Sequence, residues 1–328
     1  MSMNSEERPL GRTGLTTMPL MLGGNVFGWT ADRANSFAVL DAFLAGGGKL
    51  IDTADMYSNW IPGLVGGESE NMIGEWLTSR GCRDKILIAT KVGRGINEFA
   101  GLSRQTIGKA IDASLRRLRT DYVDLYFAHL DDSSVPLDET LQAFDDLVRA
   151  GKVRAIGASH YSAERLLAAQ AVSKSLDLKS YEVLQPRYNL LSRDSFEGRL
   201  QEMCIENSIG VVPFYALASG FLTGKYRRVE DLSERQRGAE VAKYITPFGL
   251  GVLRALDEVA TEARAIPAQV ALAWLMAQPG ITAPIASATS AVQVEELMAA
   301  TRLQLGAEAL ALLDEASDPA RQFPLIER

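Results

Sequence analysis

Short runs rich in Val, Ile, Leu and Tyr recur along the chain, and each gives way to a longer stretch whose apolar residues return every three or four positions. The alternation predicts repeated strand–helix units around a parallel sheet. Strands are expected near 18–23, 49–54, 86–91, 122–129, 153–158, 181–186, 210–215 and 281–286. Helices are expected near 33–45, 68–79, 104–118, 138–150, 162–173, 193–207, 267–278 and 291–301. Eight such units fit an α/β fold of the (β/α)8 TIM-barrel type. An open doubly wound sheet is the alternative, but its Gly-x-Gly-x-x-Gly turn is missing, because Gly23-Gly24-Asn25-Val26-Phe27-Gly28 is spaced differently.

Polar punctuation sharpens the pattern. Ser103 and Ser162 precede helical runs as N-caps, and Pro267 suits a first helical turn. Before the first barrel strand, Leu10-Gly11-Arg12-Thr13-Gly14-Leu15 reads as a small hairpin able to close the bottom of a barrel. The seventh unit is irregular, with about fifty residues between its strand and Pro267; an extra helix is expected at 249–265. A further helix is expected from Ala307 to Ala316. No linker or internal repeat interrupts the series, so residues 1–328 are expected to form one domain.

Composition narrows the function classes. A chain of 328 residues, 47% hydrophobic, can bury a large core. Its net charge of −7 argues against a nucleic-acid partner, which would call for clustered unopposed cations. The polar start and the absence of any run approaching the roughly 18 apolar residues of a membrane helix predict a soluble, cytoplasmic protein without a membrane partner. Cys82 and Cys204 are too few for a disulfide framework and lack zinc-site spacing; both read as packed thiols.

Candidate chemistry follows from where strands end. In a βα barrel the carboxyl ends of the strands share one face, so polar residues there converge. Asp52 ends the second expected strand, with Tyr57 five residues on; Lys91 ends the third and His129 the fourth. Carbonyl reduction requires hydride at carbon and a proton at oxygen. A tyrosine of reference pKa near 10 keeps its proton at neutral pH. A lysine ammonium can stabilise the developing phenolate, and an aspartate can hold that lysine charged. His129 can bond the substrate oxygen or orient the tyrosine. Singly, such residues are commonly salt bridges or core groups; four at consecutive strand ends favour a site. They do not form a ligand set, so no metal is expected.

The segments Ile51-Asp52-Thr53-Ala54-Asp55-Met56-Tyr57, Ala89-Thr90-Lys91-Val92-Gly93 and Tyr126-Phe127-Ala128-His129 resemble the aldo-keto reductase family. So do the opening Leu-Gly-Arg-Thr-Gly, residues 147–154 and residues 268–274, and the resemblance covers nearly the whole chain. It implies an eight-stranded barrel binding NADP(H), or NAD(H), across its mouth, with Tyr57 as acid assisted by Asp52, Lys91 and His129. It also implies that Ser159, His160 and Gln185 meet the nicotinamide carboxamide, and that Phe214 stacks on the ring. His160 stands where the family usually has asparagine, and Tyr215 and Ala216 replace a more usual Ser-Pro.

In the same resemblance Tyr215 and Leu217 also bind the cofactor, and Ser219, Gly220 and Lys225 belong to a glycine-bearing strap over the pyrophosphate, residues 219–226, joined by Arg235. The adenosine end falls to Ser287, Thr289, Gln293 and Glu296 at the start of the last barrel helix. Ser290 occupies a place where NADPH-using relatives often carry a cation, and Leu297 one where asparagine is frequent. Trp29, Met56 and Trp60 are expected to wall the pocket of a small aldehyde or ketone. The oligomeric state is not encoded in any visible pattern. Two other functions share these residues: a non-catalytic cofactor-sensing subunit of the same fold, and an aldolase-like enzyme using Lys91 as a Schiff-base nucleophile.

Overall fold

The computed structural model describes residues 7–95, 99–232 and 238–322. An antiparallel pair, β1 (Arg8–Pro9) and β2 (Thr16–Thr17), precedes eight parallel strands: β3 (Met21–Gly23), β4 (Leu50–Asp52), β5 (Leu87–Val92), β6 (Val123–Ala128), β7 (Val153–Ser159), β8 (Val183–Gln185), β9 (Gly210–Val211) and β10 (Ile285–Ala286). Each of β3–β8 pairs with the next, and β10 pairs with β3. The ring is completed by backbone bonds from Thr282 N to Val211 O (2.8 Å) and from Ile285 N to Pro213 O (2.8 Å). The strands therefore form the expected (β/α)8 barrel.

Helices α1 (Arg33–Ala45), α2 (Glu68–Arg80), α3 (Arg104–Leu118), α4 (Leu137–Arg149), α5 (Ala163–Ser175) and α6 (Arg199–Glu206) follow successive strands. A long excursion after β9 carries α7 (Gly238–Val241) and α8 (Pro247–Ala263) before α9 (Pro267–Ala277); α10 (Ala291–Ala299) and α11 (Ala307–Ala316) complete the chain. The local signals act as anticipated. Ser103 and Ser162 accept from the amides of Thr106 and Arg165, and α8 and α9 start on prolines. In α3 the buried Ile107, Ala110, Ile111, Ser114 and Leu118 recur at helical spacing and form its inner face.

Several elements are shorter than their apolar patterns, with β3, β4 and β8 keeping three residues each. The sixth helix begins at Arg199, because Gly198 at φ 85, ψ −133 cannot continue a helix backward to 193. Pro213 and Pro284, which lack an amide hydrogen, leave β9 and β10 as two-residue strands.

The barrel interior is apolar and layered. Leu10 and Leu15 of the hairpin join Met21, Leu50, Ala89, Leu125, Phe127, Ala155, Val183, Val212, Ala283 and Ile285 in one cluster. The hairpin thus plugs the amino-terminal end. Gly11 lies at φ 58, and a β-carbon there would fall 2.2 Å from the carbonyl of Glu182 and 2.8 Å from the amide of Gly210, so the plug needs glycine at this contact. A separate, larger cluster lies between the sheet and the helices. Among the described residues no helix is long and apolar enough to cross a membrane.

Candidate active site

Side chains along a strand alternate between faces, so the residue two after an inward apolar position also points inward, one layer nearer the mouth. Starting from the interior cluster, that step leads from Leu50 to Asp52, from Ala89 to Lys91, from Phe127 to His129, from Val183 to Gln185, from Val212 to Phe214 and from Ile285 to Ser287. Two steps lead from Ala155 to Ser159. The apolar filling of the barrel thereby supports one polar layer drawn from seven strand ends.

Four of the expected residues meet within that layer. The Lys91 ammonium, wholly buried, donates to Asp52 Oδ2 at 2.8 Å, to the Thr53 carbonyl at 2.7 Å and to the Tyr57 hydroxyl at 2.7 Å, and lies 2.7 Å from Asp52 Oδ1. Its three hydrogens are all engaged. The Tyr57 hydroxyl donates to Asp52 Oδ2 at 2.8 Å, and Gln185 Nε2 donates to Oδ1 at 2.9 Å. Asp52 is thus clamped on both oxygens, and Lys91 holds the phenolic oxygen from below. The His129 ring stands edge to face with Tyr57 at 6.1 Å, and its Nδ1 is buried without a partner.

Burial dominates the electrostatics. It pushes the Tyr57 phenol well above its usual value near 10, and the charge of Asp52 adds to the shift, so the resting residue keeps its proton. Burial pulls the Lys91 ammonium down from its ordinary range, while Asp52 opposes that pull. Burial, then the positive charges of Lys91 and Arg94, hold His129 well below 6.5, so it faces Tyr57 as a neutral imidazole.

The nicotinamide candidates cluster on the neighbouring arc. Ser159 Oγ donates to the Gln185 carbonyl at 2.9 Å. The amide of Gln185 is spent partly on Asp52, which sequence reasoning had assigned wholly to the cofactor. His160 adopts φ 57, a left-handed conformation that asparagine also tolerates, and its ring lies 4.9 Å from Phe214. Phe214 is half-buried and its neighbour Tyr215 is 40% exposed, their rings 5.3 Å apart.

Strap and adenosine candidates lie farther round the ring. Leu217 packs against the outer core, Ser219 Oγ donates to Glu240 at 3.1 Å, and Gly220 turns at φ 94 with the Lys225 amine close above it. Arg235 lies outside the described residues. Ser287 donates to Asn25 at 2.6 Å, and Gln293 accepts from the amide and hydroxyl of Thr289, which tightens the turn into α10. Ser290 caps that helix, and Glu296 is exposed on it. After β3 and β4, Trp29 and Trp60 meet edge to face at 6.0 Å, and Trp60 meets Tyr57 at 5.9 Å, while Met56, next to Tyr57 in the chain, is half-buried.

Sequence reasoning overlooked several groups. The Thr53 carbonyl and Asn25 side chain contribute through positions that no side-chain pattern marks. Arg94, three residues beyond Lys91, places Nη1 3.4 Å from His160 Nε2; a cation just after a functional strand end was the available signal. Asp55 is buried with both carboxylate oxygens unpartnered, and burial followed by the charge of Glu70 pushes it up to about 8.

Comparison with known proteins agrees with this arrangement. The chain is 34% identical over 314 residues to the uncharacterized oxidoreductase YrpG of Bacillus subtilis, covering 93% of this chain and 94% of that one. It is 33% identical over 301 residues to a probable voltage-gated potassium channel subunit beta of Arabidopsis thaliana, covering 89% of each. It is 30% identical over 323 residues to norsolorinic acid reductase B of Aspergillus parasiticus, covering 93% of this chain and 82% of that one. Residues 19–318 match the profile of the aldo/keto reductase family, and the chain belongs to that family.

Proposed function

We propose that the protein reduces an aldehyde or ketone to an alcohol with a nicotinamide cofactor, NADP(H) or NAD(H), and that Tyr57 is the proton donor. The observation that carries this reading is the Lys91 ammonium, 2.7 Å from the Tyr57 oxygen and anchored by Asp52. When bound, the cofactor supplies hydride to the carbonyl carbon. The Tyr57 hydroxyl turns from Asp52 toward the substrate oxygen and gives up its proton. Lys91 then compensates the phenolate, and Asp52 keeps the ammonium charged and in place. His129, neutral and packed against Tyr57, can donate a hydrogen bond to the same oxygen, while Trp29, Met56 and Trp60 bound the substrate on its apolar side.

The residues present suit a dinucleotide. Phe214 offers a half-open aromatic face one layer above the barrel filling, Ser159, His160 and Gln185 line its polar edge, and the left-handed turn at Ser219–Gly220 lets backbone and Lys225 approach phosphate. Tyr215 and Leu217 flank this path, Ser287, Thr289, Gln293 and Glu296 would take the adenosine end, and Arg235 is assigned to the strap from the sequence resemblance. The reading treats residues 1–328 as one soluble cytoplasmic domain without a resident metal.

Replacing Tyr57 with Phe removes the proton donor and keeps the ring. NADPH oxidation with a panel of aldehydes should fall by a factor on the order of 100 to 10,000; undiminished turnover rejects the assignment. The similarity to potassium channel beta subunits raises a second reading, a subunit that senses cofactor without turning it over. The intact contacts among Asp52, Tyr57 and Lys91 favour catalysis, and cofactor that stays reduced in the presence of every carbonyl compound would reverse that preference.

A further inference from the structure

The mouth carries cations that the proton-donating group does not use. Arg94 follows β5, exposed, and directs Nη1 toward His160 Nε2 at 3.4 Å. Burial, then the charges of Arg94 and Arg187, push His160 down to about 4, so near neutral pH its ring is uncharged and can accept from the guanidinium. His160 in turn packs on Phe214. This explains what a histidine does here that an asparagine would not: it supports an arginine at the rim with a ring braced from behind. Arg187, two residues beyond Gln185, lies 4.9 Å over the Tyr215 ring. In strand order His160, after β7, falls between Arg94 after β5 and Arg187 after β8.

Neither arginine forms an ion pair among the described residues, although many other arginines of this acidic chain do. Through His160, whose ring lies 4.9 Å from Phe214, Arg94 is tied to the strand ends that carry the nicotinamide candidates. The nearby Asp52 carboxylate is already held by Lys91, Tyr57 and Gln185. An anion entering the mouth therefore meets guanidinium groups that no carboxylate among the described residues pairs with, and their planar donors match carboxylate and phosphate oxygens.

We propose that Arg94, braced by His160 and assisted by Arg187, binds an acidic group on the carbonyl substrate, so that the preferred substrate is an aldehyde or ketone bearing a carboxylate or a phosphate. The inference rests on the reductase reading. It adds the substrate class: Trp29 and Trp60 wall one side of the pocket, and the arginine arc receives the charged end on the other.

The test compares matched pairs, 4-carboxybenzaldehyde with benzaldehyde and glyceraldehyde 3-phosphate with glyceraldehyde, by kcat/KM with NADPH. The parent should favour the acid in at least one pair by 10-fold or more. The pair that shows it separates a carboxylate from a phosphate preference. In Arg94→Gln the acid-to-neutral ratio should drop on the order of 10- to 100-fold, mainly through KM, with partial recovery in Arg94→Lys. Arg187→Gln should lower the same ratio by less. A parent ratio near one in both pairs overturns the proposal. So does an equal loss on acid and neutral compounds in Arg94→Gln, which would assign Arg94 to the cofactor or the fold. Calorimetric titration of the NADP-bound Tyr57→Phe protein with each pair reads the same preference without turnover. Acid-selective binding there upholds the substrate class even if the reductase reading fails, and equal affinities there reject it.

Discussion

The two ends of the barrel are built from the same strands yet hold opposite chemistry. At the amino-terminal end Leu10 and Leu15 seal an interior of Leu50, Ala89, Leu125 and Val183; at the carboxyl end, two residues further along those strands, stand Asp52, Lys91 and Gln185. The difference teaches that the apolar filling is the support of the polar layer. An ammonium can remain buried because its three acceptors are placed by the neighbouring strand β4 and the loop after it, whose register is set below.

The sharpest way to break this contrast is to remove charge from the upper layer. Lys91→Met leaves Asp52 buried without its cation and Tyr57 without its electrostatic support. Carbonyl reduction should fall about 1,000-fold, and stability should drop by about 3–5 kcal/mol. Adding Asp52→Asn to that variant should restore part of the melting temperature and none of the turnover. Recovery of turnover would show that the ammonium is not needed.

At the other end the expected effect is on stability alone. Leu10→Ala opens a cavity in the plug and should cost about 2–5 kcal/mol in denaturant unfolding. KM for the carbonyl substrate at 25 °C should stay at the parent value. A large change in KM would mean that the plug also sets the geometry of the mouth.

Asp55 sharpens the comparison, being a buried acid in the loop just after β4. In the folded chain its proton is held until about pH 8, whereas the unfolded chain releases it near the ordinary 3.8. The stability it confers is complete below the lower value and is lost as pH rises through the upper one, at up to about 1.4 kcal/mol per pH unit. Asp55→Asn keeps the shape and removes the titration. The melting temperature of that variant relative to the parent should therefore climb between about pH 5 and pH 8.5; a constant difference would mean that Asp55 is ionised throughout.

The smallest effect belongs to the periphery shared by both ends. Ser162→Ala deletes the cap that accepts from Arg165 N and should cost about 1 kcal/mol in thermal unfolding, with turnover retained. A loss of several kcal/mol would show that α5 holds the strand ends in place and is more than outer packing.

Much of this was legible beforehand because it is local. The caps at Ser103 and Ser162, the helix start at Pro267 and the strand-end positions of Asp52, Lys91 and His129 follow from short spacings. Partnership was less legible. Nothing near Gln185 in sequence announces that its amide reaches Asp52, and nothing near His160 announces Arg94, because each pair joins strand ends separated by scores of residues. The late start of α6 was hidden for another reason: Phe196 stands at helical spacing from Leu200, Met203 and Cys204, and the backbone of Gly198 overrides it.

By itself the chain determined its alternating elements, the end of each strand where polar groups gather, and the residues suited to proton donation, since periodicity and side-chain chemistry act over a few positions. Only the tertiary structure decided which of those groups touch: closure of the ring by Thr282 and Ile285, the clamp of three donors about Asp52, and the contact of Arg94 with His160 at the rim. Contact between distant strand ends depends on the stagger of eight strands closed on one another, a global condition that no local spacing contains.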